Sequence, residues 1–196
     1  MANDEARRIL EELKEGNRRF REGRSQHRTY SQPELAHLAA GQAPRAAIVA
    51  CSDSRVVPEV LFDQPLGALF VSRVPGNVAS DGTRWMIEIA MSAFEIPLVV
   101  VLGHTGCLAV KSIVEDTSGS EGGLLRLKTI RAVARARMRP GGDLLRTAVE
   151  ENARSSVEEL SQESAILRAA IVGGRTHAVA MVYEMETGTV HDIVGA

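Results

Sequence analysis

The chain has 196 residues, 44% of them hydrophobic and 24% charged, with a formal net charge of −2. That is enough for one domain with a substantial core, and the charge balance leaves no footprint for nucleic acid or an anionic membrane. No stretch approaches the ~20 apolar residues of a membrane span, and the opening MANDEARRILEELKEGNRRF is charged and amphipathic rather than a signal peptide, so a soluble, cytoplasmic protein is expected.

In chain order, residues 4–22 carry a helical pattern with Asp4 as its cap. Ala46 to Ala50 and Leu69 to Ser72 are expected as buried strands. A helix is predicted from Thr83 to Phe94, where Trp85 with Ile89 and Met86 with Ala90 recur at helical spacing and are read as core. Leu98 to Leu102, apolar throughout, suits a parallel strand covered on both faces. A short helix starts at Cys107 or Leu108 and runs into Val114; residues 117–123 and 140–142 read as loops. Helices follow over 124–137 and 143–171, and Ala178 to Glu184 forms a last strand. Arg131, Arg135, Arg137 and Arg139 make a basic face expected to be solvated or paired, and His27, His37, His177 and His191 read as surface or structural. Strands alternating with helices predict a single α/β domain, its sheet mostly parallel and flanked by helices, without repeat or linker.

The only two cysteines lie in the runs Cys51-Ser52-Asp53-Ser54-Arg55 and His104-Thr105-Gly106-Cys107, each following a predicted strand. In an open parallel sheet the ligand crevice lies beyond the carboxyl ends of the strands, so neighbouring strands would bring Cys51 and His104 together. Gly103 and Gly106 allow the tight backbone that lets one loop supply both His104 and Cys107. Thiolate and imidazole are the donors Zn²⁺ prefers, and a three-ligand set leaves a fourth position open, as catalysis requires. Cys107 at a helix start has its thiolate favoured by the macrodipole. Asp53 and Arg55, two residues apart, can form a bidentate pair. Held away from zinc, Asp53 can accept a hydrogen bond from metal-bound water; released, it can become the fourth ligand. A Cys51–Cys107 disulfide would leave His104 and Asp53 unexplained, and a cysteine nucleophile with His104 as base would need no metal.

The segments CSDSR, GHTGC, FDQPLGALFVSRVPGN, AVEENARSSVEEL and VYEMETG, with the early LKEGNRRF, extend from about Leu13 to Gly188 and resemble the β-class carbonic anhydrases. The resemblance implies Cys51, His104 and Cys107 as metal ligands, Asp53 and Arg55 as the catalytic dyad, and Asp53 as an occasional fourth ligand. It implies Gln64 as a substrate contact through its amide, and Val74, with Phe70 and Leu108, as apolar walls. The implied reaction is zinc-dependent reversible hydration of carbon dioxide to bicarbonate and a proton by zinc-bound hydroxide, a lyase activity rising towards alkaline pH. Hydrolysis of carbonyl sulfide or carbon disulfide at the same zinc, or a zinc-stabilised binding protein with little catalysis, are the alternatives. Family members are homodimers or dimers of dimers, which implies residues 1–45 as a helical arm crossing the dimer and 46–196 as the catalytic domain. The chain departs from the family at Leu108, where glycine is usual, and at Pro75, where a small residue is usual. Ile48 stands where a bicarbonate-regulated subgroup carries tryptophan, although Arg73 is present.

Overall fold

The most apolar segments of the chain form its centre: every residue of β1 (Ala46–Cys51) and β3 (Leu98–His104) is buried. In this computed structural model, which describes residues 4–26, 28–117, 119, 123–139 and 141–193, the two strands pair in parallel, Ala46 against Leu98 through Ala50 against Leu102. With β2 (Leu69–Val74), β4 (His177–Glu184) and β5 (Thr189–Asp192) they make one five-stranded sheet in the order β2-β1-β3-β4-β5. Only β5 runs antiparallel to its neighbour.

Continuous apolar runs let the central strands be covered on both faces. On one face Val49, Val101 and Cys51 meet Ile87, Val149, Leu160 and Leu167, supplied by α4 (Asp81–Phe94), α7 (Leu144–Glu163) and α8 (Ala165–Val172). Beside them lie α5 (Leu108–Val114) and α6 (Gly123–Arg137). On the other face Ile48, Val100 and Leu102 meet Ile9 and Leu13 of α1 (Asp4–Arg21) and Leu61 of the short α3 (Pro58–Leu61). Thus α1 packs on the sheet of its own chain. Its approach is close, because a Cβ on Gly16 would stand 1.8 Å from the Phe62 carbonyl oxygen.

Two expectations need correction. Residues 143–171 are not one helix: Ser164, fully buried, ends α7 and starts α8, its Oγ accepting from Leu167 N at 3.3 Å. A serine side chain that satisfies a helix start competes with helix continuation. Trp85 is 67% exposed and Ile89 also faces out, because the buried stripe of α4 runs through Thr83, Ile87, Ala90 and Met91. Three elements were not foreseen, β5, α2 (Gln32–Ala40) and the short α3. The basic face is paired as expected, Arg135 to Glu158 at 2.9 Å and Arg139 to Glu151 at 2.6 Å. Residues 118, 120–122 and 140 of the expected loops, and His27, lie outside the described residues. Among the described residues no helix is long and apolar enough to cross a membrane.

Asn17 fastens α1 to the sheet edge. Its Nδ2 donates to Leu61 O at 3.1 Å and Gly188 O at 2.9 Å, and its Oδ1 accepts from Val190 N at 2.8 Å. Replacing Asn17 by alanine strands these buried groups, so Asn17→Ala should lose about 2–3 kcal/mol in urea unfolding; a change within about 0.5 kcal/mol, typical of an exposed site, would show that these bonds hold nothing.

Candidate metal centre

Parallel pairing of adjacent strands places the last residues of β1 and β3, Cys51 and His104, at the same edge of the sheet. Beyond His104 the chain turns through Gly106, whose φ of 68° suits glycine, and delivers Cys107 as the residue before α5. Gly103 serves differently from the expected tight turn. A Cβ there would lie 3.4 Å from both Val149 Cγ1 and Ala153 Cβ, so nothing larger than a methyl fits between β3 and α7.

Cys51, His104 and Cys107 are all buried, with one donor atom from each within 4.8 Å of the others. The two sulfurs are 4.0 Å apart. That is about twice a disulfide bond, and close to the roughly 3.8 Å between two sulfurs each ~2.3 Å from one tetrahedral ion. His104 Nδ1 donates to Thr105 O at 3.0 Å, which leaves the Nε2 lone pair free; Nε2 is buried without a hydrogen-bond partner. Leaving such an acceptor unpaired costs about 1–3 kcal/mol, and a cation between the two sulfurs would satisfy it. The donor set therefore fits zinc.

A backbone N–H supports one sulfur: Cys51 accepts from the N–H of Asp53 at 3.5 Å, while Cys107 stands at the N-cap of α5. The hydrogen bond from the Cys107 thiol lowers Cys51, whereas that same contact and burial push Cys107 up. The pair thus releases its first proton readily and its second only against the charge of the first, a charge that a divalent cation offsets.

Arg55 grips Asp53 in a fork, Nε to Oδ1 at 2.9 Å and Nη2 to Oδ2 at 2.7 Å, and its backbone N–H reaches Oδ1 at 3.0 Å. The guanidinium holds the Asp53 carboxyl well below the usual carboxylate range. Asp53 stands outside the cluster formed by the two cysteines and His104. Val74 lies beside Cys51 across the β1–β2 ladder, whereas Phe70 is opposite Ala47 and packs on Phe94, ring centroids 5.7 Å apart. Leu108, 74% exposed, is the first residue of α5. Gln64 donates to Phe62 O at 2.9 Å and lines a cleft of about 540 Å³ with Arg8, Glu11, Glu12, Glu15 and Arg19. No ligand of the cluster lines that cleft.

Two supporting residues carried no signal that assigned them here. Arg73 clamps the end of β1, donating to Cys51 O at 3.0 Å and to Asp53 O. Thr105, which orients His104, is held by its own N–H to Tyr183 O and by Met185 N to its Oγ1, both at 3.0 Å.

The chain is similar to known proteins. The carbonic anhydrase family model matches residues 46–190. Carbonic anhydrase 2 of Mycobacterium tuberculosis is 36% identical over 180 residues, covering 90% of this chain and 87% of that protein. A carbonic anhydrase of Synechocystis is 33% identical over 196 residues, covering 92% and 70%. The solved β-carbonic anhydrase CcaA is similar with a TM-score of 0.72 at 28% identity, over 93% of this chain and 86% of that one. A tetrameric β-carbonic anhydrase of Sordaria macrospora, at 21% identity and a TM-score of 0.72 over 84% and 88%, shares the fold.

Removing one ligand should empty the centre without unfolding the chain. Cys107→Ala is expected to retain its circular dichroism while its zinc content after dialysis falls from about one per chain to near zero; full zinc in that variant would show that Cys107 is not a ligand.

Proposed function

This chain belongs to the carbonic anhydrase family, in its β class, and from that premise we propose that it holds one zinc ion through Cys51, His104 and Cys107 and catalyses the reversible hydration of carbon dioxide to bicarbonate and a proton. The observation that carries this reading is the buried, unpartnered His104 Nε2 converging with two free sulfurs. Zinc, when bound, supplies the Lewis acidity that lets water lose a proton near neutral pH and attack the carbon of carbon dioxide.

The chain's own groups orient that chemistry. Thr105 O fixes the tautomer of His104, so the imidazole presents a lone pair rather than a proton. Asp53 Oδ1 already accepts two bonds from Arg55, and Oδ2 accepts one, leaving Oδ2 an acceptor position for the hydrogen of the attacking water. A carboxylate held so low is a poor resting place for that proton. Asp53 therefore aims the nucleophile, and the proton leaves to solvent or buffer. Val74 offers an apolar wall to a nonpolar substrate.

The reading includes a homodimer or a dimer of dimers; because α1 packs on its own sheet, the part of segment 1–45 that reaches the partner is the stretch beyond α1. Support comes from α2, which buries none of its residues within its own protomer and exposes Leu35. Gln64 would then serve, if at all, at a partner's centre. Cysteines kept as free thiols suit a reducing compartment such as the cytoplasm.

Stopped-flow hydration assays on protein of known zinc content test the reaction. Hydration should be rapid, sensitive to chelation and faster as pH rises from neutral to alkaline. Because Asp53 is ionised throughout that range, the rise belongs to the water and not to the dyad. A flat or falling rate would contradict this, and zinc-loaded protein that hydrolyses carbonyl sulfide but leaves carbon dioxide untouched would reassign the substrate. Asp53→Ala should keep its zinc yet lose about 10²-fold in turnover, the cost of a misplaced reactant; wild-type turnover would remove Asp53 from the mechanism.

A further inference from the structure

Both arms of the centre rest on α7. Val149 and Ala153 of that helix flank Gly103, the residue before His104. Between them in sequence, Asn152 is 2% exposed and donates through Nδ2 to Gly76 O at 2.5 Å. Gly76 lies in the turn Pro75–Asn77, which follows β2 past the Cys51 end of β1. The turn is an unusual one. Gly76 has φ 67° and Asn77 φ 47°, two left-handed residues in succession, and the second is not glycine. Left-handed backbone costs roughly 1–2 kcal/mol for most residues bearing a Cβ, and asparagine is one of the few that adopt it readily. A Cβ on Gly76 would lie 3.4 Å from Ala109 Cβ and 3.8 Å from both Asn152 Nδ2 and Thr129 Oγ1, which places the turn beneath α5, α6 and α7 together.

We propose that Asn152 is a positioning residue for the metal centre: its side-chain amide pins the Gly76 carbonyl and so fixes the Pro75–Asn77 turn beside the Cys51 end of β1. The inference rests on the reading of Cys51, His104 and Cys107 as zinc ligands. An amide suits the task because Gly76 O, in a dry setting, needs a neutral donor. Aspartate would set one acceptor against another, and alanine would leave the carbonyl unpaired. A support of this kind acts through the ligand it steadies, so its loss shows in the metal before it shows in the fold.

The test uses the zinc-loaded full chain and two variants, Asn152→Ala and the nearly isosteric Asn152→Asp, with Ser161→Ala as a control. Ser161 Oγ donates to Val157 O within the same helix, at 2.8 Å, and stands apart from both loops. Zinc affinity is measured by competition with a chelator, and the sulfur-to-metal charge-transfer band is recorded after cobalt replaces zinc. Both Asn152 variants should keep the helical circular dichroism, weaken zinc by about 10–100-fold and shift the cobalt band, while Ser161→Ala changes neither. A folded Asn152 variant with wild-type affinity and an unshifted band overturns the proposal. If only Asn152→Ala fails to fold, Asn152→Asp decides; if neither folds, the residue is structural and the proposal also falls. A wild-type chain that keeps no zinc would refute the metal reading itself, whereas zinc-holding wild type beside unaffected variants refutes only the role of Asn152.

Discussion

The parallel pairing of β1 with β3 is the constraint on which the molecule turns. Cys51 and His104 are far apart in sequence, yet each ends its strand, and parallel neighbours end at the same edge of a sheet. Such pairing demands a crossover, which the chain makes through β2 and α4. It also demands cover on both faces, and this is why the two strands contain no exposed residue. The price of that arrangement is a set of polar groups in a dry place. The site is built from two sulfurs and one imidazole of this kind, with a carboxylate at their rim tied to a largely exposed guanidinium.

Burial and hydrogen bonding divide the work among these groups. Cys51 takes a backbone N–H from Asp53 and Cys107 stands at a helix start, so charge on the sulfurs is tolerated where solvent cannot help. His104 is given its tautomer by a carbonyl one residue away. Asp53, by contrast, is turned from the cluster by a side chain that is itself largely in solvent. The cluster is thus rigidly backed from within, while the dyad is set from the rim.

Much of this was legible in the sequence, for physical reasons. β1, β3 and β4 are apolar runs that hardly any other element tolerates, and the CSDSR and HTGC runs begin on the last residues of β1 and β3. What was not legible depends on contacts distant along the chain. Thr189–Asp192 becomes a strand because Met181 to Glu184 offers it a partner, not because its four residues favour one. α2 has no buried stripe and hence no periodicity to read. Trp85 and Ile89 show helical spacing, but the stripe that packs lies two residues away, a choice made by the sheet. Ser164 breaks a long helical pattern by a single side-chain bond. Arg73 could be seen, and its hold on the end of β1 could not, since it depends on register with Ala50.

The close seat of α7 on Gly103 also governs how the gene can drift in length. A helix turns about 100° per residue. One codon inserted between Asp143, which caps α7, and Asn152 would swing the amide round the axis and carry Val149 or Ala153 away from β3. Residues added beyond Ser164, past the end of α7, would shift none of these side chains. The stretch from 143 to 153 should therefore accept exchange of its outward-facing residues but neither insertion nor deletion, so a segment that holds no metal ligand is as fixed in length as those that do.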